Sequence, residues 1–296
     1  MRRQAGLALL SALLMVALCA SLSALLLYYQ HTFMRQVAWA RAHDRVAYAV
    51  NQAKSWAMTV LKQTDNLRKI NDWQYHNGEI KATAHLYALG GRLNISALDR
   101  DAPERMRRLV SALGLAIDQD RLDQLVAATR AYQQPKDPND GEYAQRQPSY
   151  RSAGQPMRDL SEWRLVAGMN DTLYRSLVDR HPPVFIAIPD QAPWRLNVNW
   201  APAVLWQALG VSADKAQAVV ACRQGHYFES LALFMASCGQ GVKAFQSQLT
   251  VENPYYLLDV ALTQSGLQQH SRVLFRVTRN TAGATVVIIW QEQMSD

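Results

Sequence analysis

The chain has 296 residues, 49% of them hydrophobic and 19% charged, which is enough apolar material to close a core and excludes a disordered chain. Its formal charge of +7 comes from arginines scattered along the chain, so no nucleic-acid-binding stripe stands out. Three cysteines (Cys19, Cys222, Cys238) are too few for a disulfide-dense scaffold, and their spacing fits no zinc pattern.

Arg2 and Arg3 are followed by no charged side chain until Arg35, and Leu7 to Leu27 is almost wholly Leu, Ala, Val, Met and Ser. A bilayer-spanning helix needs about 20 such residues, so residues 7–28 are predicted to be transmembrane, with Cys19 serving as a small hydrophobe. Arginines before the run and none within it put the short amino end in the cytoplasm and the body outside. A removable secretory signal would use Ser21-Leu22-Ser23 as its cleavage site, but the apolar stretch continues through Tyr29. The junction of Arg2-Arg3-Gln4-Ala5-Gly6 with Leu7 resembles the site cut by prepilin peptidase. That would make residues 1–6 a leader, cut between Gly6 and Leu7.

From Val46, apolar residues recur at Val50, Ala53, Ala57, Val60 and Leu67, with no Pro or Gly between Leu7 and Asn77. The spacing predicts one helix from Leu7 to Leu67, roughly 90 Å long, half in lipid and half packed on a soluble domain. Glu79 to Tyr87 alternates as a strand, and Gly90-Gly91 predicts a hairpin turn into Leu93-Asn94-Ile95.

Helices are expected over Glu104 to Leu113, Arg121 to Tyr132, Leu160 to Val166 and Asp171 to Asp179. The proline-bearing segment Gln133 to Arg158 reads as an ordered surface loop. Arg195 to Ala236 reads as a helix-hairpin-helix, with the turn at Leu209-Gly210-Val211-Ser212. In other proteins such a unit grips phosphates through backbone amides, but here the turn has a single glycine and Asp214 opens the next helix. Tyr255 to Thr263, Arg272 to Arg279 and Thr285 to Gln291 alternate as antiparallel strands, the last two joined at Asn280 to Gly283. The order of long helix, strands, helical block and strands predicts an α+β fold with the helical block inserted.

Cys222, late in one predicted helix, and Cys238, after the helix Phe228 to Ala236, are expected to pair outside the cytoplasm; two free buried thiols are the alternative. Asp137, Asp140 and Glu142 offer oxygen ligands of the kind calcium prefers, or form a solvated acidic turn. No serine elbow, HExxH or Walker-type loop occurs, so the chain is not expected to be an enzyme.

Four stretches together resemble the K-type minor pseudopilins of type II secretion systems: the leader from Arg3 to Leu10, GRLNIS at Gly91 to Ser96, RDLSEWRLVAGMNDTLYRSL at Arg158 to Leu177, and RLNVNWAPAVLWQAL at Arg195 to Leu209. The resemblance implies a type IV pilin-like fold with a long N-terminal transmembrane helix, an antiparallel sheet and a large inserted α-helical domain. The boundaries it suggests are a leader at 1–6, the transmembrane part at 7–28, helix continuation and first strands at 29–95, the inserted domain at 96–250 with its hairpin unit at 195–236, and closing strands at 251–296. It implies an inner-membrane protein with a periplasmic body at the pseudopilus tip. The implied partners are I-type and J-type minor pseudopilins, other pseudopilins, prepilin peptidase and the inner-membrane secretion platform, with no nucleic acid.

Cleavage after Gly6 would make Ser11 the fifth residue, where most pilins carry a Glu thought to pair with a neighbouring subunit's amine. Its absence suits a tip subunit with nothing above it. Calcium binding in the helical region is also implied, Asp140-Gly141-Glu142-Tyr143 being similar to part of an acidic stretch found there. Two other classes stay open: a membrane-anchored helix-hairpin-helix DNA-binding protein, and an anchored periplasmic hydrolase.

Overall fold

Helix α1 (Arg2–Gln63) runs without a break because nothing in its sequence interrupts the ladder of backbone hydrogen bonds. It belongs to a computed structural model that describes residues 2–64, 66–67, 72–78, 80–179, 183–190, 192–264, 267–281 and 283–295, with side chains excepted at 2–12, 42, 267 and 294–295. The expected helix end at Leu67 is corrected to Gln63. Thr64 N still bonds Val60 O, but Asn66 N bonds the Thr64 hydroxyl instead of a helical carbonyl. Leu67 is buried just beyond the helix end.

From Val46 upward one face of α1 is buried, and Ala49, Ala53 and Ala57 are fully inaccessible, so small side chains let the helix lie close on the sheet beneath it. Below Val46 the apolar side chains, from Leu13 to Trp39, stand exposed. Arg279 donates to Leu61 O at 2.8 Å, placing a cation on the carboxyl end of α1 where the helix dipole favours it.

The sheet is antiparallel, in the order β1 (Trp73–Asn77), β2 (Ile80–Ala88), β7, β8, β9. The hairpin of β1 and β2 turns at Gly78, which has φ +60°, and not at Gly90-Gly91. After that glycine pair the chain enters β3 (Leu93–Asn94), which pairs in parallel with a distant strand. The glycines serve close approach: a Cβ on Gly91 would stand 2.5 Å from the Trp200 carbonyl carbon, and one on Gly90 2.7 Å from Asn253 Oδ1.

The chain then builds α2 (Ala102–Ala112), α3 (Gln119–Tyr132), α4 (Asp140–Gln145), a 3-10 turn at Leu160–Leu165, and α5 (Asp171–Val178). Next come β4 (Phe185–Ile186), β5 (Leu196–Asn197), α6 (Ala203–Leu209), α7 (Ala213–Cys222), α8 (Leu231–Ser237) and β6 (Leu249–Thr250). It returns as β7 (Tyr255–Gln264), β8 (Leu267–Asn280) and β9 (Gly283–Ser295). Residues 89–254 thus leave and re-enter between two strands that are neighbours in the sheet.

The segment expected as a surface loop, 133–158, is instead a strap on the helical core. Tyr143 and Met157 are fully inaccessible, and Tyr132, Tyr143 and Tyr150 pack ring against ring. Prolines and polar residues set its irregular path, while its aromatics anchor it.

Candidate assembly site

Among the described residues α1 is the one helix long and apolar enough to cross a membrane. Tyr28 and Tyr29 stand near the upper end of its apolar run, and Trp39 stacks on His43 above them. Such aromatic side chains suit the membrane–water boundary. Gly6, Leu7 and Ser11 fall on α1 among residues whose side chains lie outside the described set.

The helix-hairpin-helix pattern is built as α6, a turn and α7. Gly210 caps α6 at φ +104°, where its amide bonds Gln207 O and the following Val211 amide bonds Trp206 O. The turn is approached by α2: Arg108 donates to Leu209 O, its guanidinium nitrogen 2.8 Å from where a Cβ on Gly210 would lie. Glu104 pairs with both Arg107 and Arg108, so the nearby cations are already matched.

Cys222 ends α7 and Cys238 follows α8, and the two are bonded with Cα atoms 5.8 Å apart. The expected helix start at Phe228 moves to Leu231 because the Ser230 hydroxyl caps the Leu233 amide.

A calcium cage needs oxygens turned toward one centre. Here Asp137 Oδ1 accepts from the backbone and side-chain nitrogens of Asn139, Asp140 Oδ1 accepts from Ser152 N, and Glu142 pairs with Arg146 at 2.6 Å. The bond from Ser152 holds the Asp140 carboxyl below its usual range. Among the described residues no three His, Cys, Asp or Glu side chains are grouped to hold a metal ion. As arranged, Asp137, Asp140 and Glu142 form a hydrogen-bonded turn that does not fit the ion.

Four asparagines, unremarked as chemistry in the sequence, join the helical part to the sheet. Asn94 Oδ1 accepts from Ser96 N and Ile188 N while its amide donates to Ile188 O and Asp190 O. Asn197 donates to Val251 O and Glu252 O and accepts from Asn199 N; Asn199 in turn bonds both backbone groups of Phe228. Asn253 Oδ1 accepts from Gly90 N at 2.6 Å. The dipeptide Leu-Asn recurs in β3 and β5, and in both the amide satisfies buried backbone that two-residue strands leave unpaired. Repetition of that dipeptide was the available signal.

Arg105 is a second such residue: it is buried, forms a two-pronged pair with Asp99 and lies over the Trp194 ring.

Residues 91–189 match the family described as type II secretion system (T2SS), protein K. The type II secretion system protein K of Pseudomonas aeruginosa is 28% identical over 258 residues, covering 77% of this chain and 75% of that protein. The protein K of Klebsiella pneumoniae is 31% identical over 162 residues, or 54% of this chain and 43% of the relative. A chain in the crystal structure of the GspK-GspI-GspJ complex from the type 2 secretion system of enterotoxigenic Escherichia coli superposes with a TM-score of 0.71 at 17% identity. It covers 88% of this chain and 100% of that chain, a likeness of fold.

Proposed function

The chain belongs to the type II secretion system protein K family, and from that premise we propose that it is a non-enzymatic minor pseudopilin at the tip of the secretion pseudopilus. Its role is to help initiate assembly and so the export of folded proteins. The observation that carries this reading is the continuity of α1. One rigid helix has an exposed apolar lower half and an upper half clamped on the sheet, so lifting the head draws the anchor with it.

In this reading prepilin peptidase removes residues 1–6, leaving Leu7 as the amino terminus in the inner membrane and the head in the periplasm. Ser11 then offers no carboxylate to a subunit above, which suits a terminal position. The partners are the I-type and J-type minor pseudopilins, as in the GspK-GspI-GspJ complex whose chain shares this fold. The test is reconstitution of the full chain in detergent micelles with those two subunits from the same cells. A stoichiometric complex is expected, and failure to associate under conditions where the other two pair would refute the tip assignment.

A further inference from the structure

A cleft of about 730 Å³ opens between the helical part and the sheet face turned away from α1. That lies within the range of ligand pockets, roughly 300–1,000 Å³, and far exceeds a single small anion. Phe185 and Leu257 contribute apolar wall, and Arg92, from the GRLNIS stretch, lines both this cleft and a smaller one of about 320 Å³.

The two cations of the larger cleft differ in their surroundings. Arg272 sits in register between Asp259 and Glu292 on the flanking strands, so two carboxylates face it. Arg92 has none: among the described residues no carboxylate lies within ion-pair distance of its guanidinium, and the guanidinium donates no hydrogen bond. Burial pushes its pKa down to about 10, and the only charge acting the other way is the Tyr87 phenol. The third carboxylate of the cleft, Asp159, is occupied capping the 3-10 turn through Ser161 N. Placing a cation in a partly dry cavity without an anion is unfavourable for the free chain.

We infer that this cleft is a docking site for an acidic segment of a neighbouring minor pseudopilin, whose carboxylate forms an ion pair with Arg92. The inference rests on the tip reading above. Charge complementarity names the occupant, since the free chain supplies every other cation of the cleft with a carboxylate and leaves this one open. Arginine's planar fork suits a two-pronged carboxylate contact better than a lysine would.

The test uses the full chain in micelles, with the I-type and J-type subunits as probes, comparing wild type, R92Q, R92K and R92M. R92Q and R92M are expected to bind the pair at least about tenfold more weakly, with R92K intermediate. Their melting temperatures should be no lower than that of the wild type, because the uncompensated charge is gone. Equal binding by wild type and R92Q would overturn the inference and leave the tip reading standing. Loss of melting temperature in both R92Q and R92M would show a structural arginine and overturn it likewise. Stabilisation of the wild type by sodium glutarate, with subunit binding unchanged in R92Q, would mark a small-molecule site and also overturn it. No association by the wild type would sink the tip reading and this inference together.

Discussion

Gly91 lies directly against Trp200: a Cβ at Gly91 would stand 2.5 Å from the tryptophan's carbonyl carbon and 2.7 Å from its carbonyl oxygen. Both neighbours are backbone and have little freedom to move, so Gly91→Ala should cost about 1–3 kcal/mol by overpacking. Urea unfolding of the full chain in micelles reads this directly, and an unchanged midpoint would show that the two segments can separate without penalty.

That contact also shows why part of the fold was hidden in the sequence. Periodicity revealed α1, β2 and the three closing strands, because each obeys a local rule of 3.6 or 2 residues. The Gly90-Gly91 pair obeys no local rule. Its reason lies more than a hundred positions away, at Trp200 and Asn253, and a sequence window sees only a turn signal. The 133–158 strap misled in the same way, since its three packed tyrosines are spaced too irregularly to register as a face. Of the candidate site residues, Cys222 and Cys238 could be judged from topology and helix ends, whereas Arg92 becomes notable only once the missing carboxylate is a spatial fact.

Asn197 is fully buried and serves three backbone groups. Asn197→Ala would leave two carbonyls and one amide without partners, each costing about 1–3 kcal/mol, so a total loss of at least about 2 kcal/mol is expected. Hydrogen exchange should locate the damage at 251–253 and 199. Uniform protection across those residues would contradict the stitching role.

Processing depends on the residue ending the leader. Gly6→Val should leave an uncut precursor in cells that carry prepilin peptidase, read by intact mass. Wild-type protein still beginning at Met1 in those cells would remove the leader from the account.

Anchorage depends on Leu14, near the middle of the apolar run and exposed along α1. An arginine there should cost about 2.5–3.5 kcal/mol of insertion. Leu14→Arg is therefore expected to abolish secretion in a complementation assay. Normal secretion by this variant would make the anchor dispensable.

The bond between Cys222 and Cys238 closes a loop of sequence separation 16 and ties the end of α7 to the end of α8. The only other fixture between those ends is the packing of Phe234 and Phe228 under Trp206. In the chain-entropy view a loop of this length should contribute roughly 3 kcal/mol by restricting the unfolded state. Reduction of the folded chain, or Cys222→Ser with Cys238→Ser, should thus lower stability by about that amount while α1 and the five-stranded sheet keep their protection, because neither element touches the bridge. Non-reducing peptide mapping of protein isolated from the periplasmic side provides the independent check. Two freely alkylated thiols there would refute the bridge, and a double serine variant as stable as the wild type would show that ring packing alone holds α8 in place.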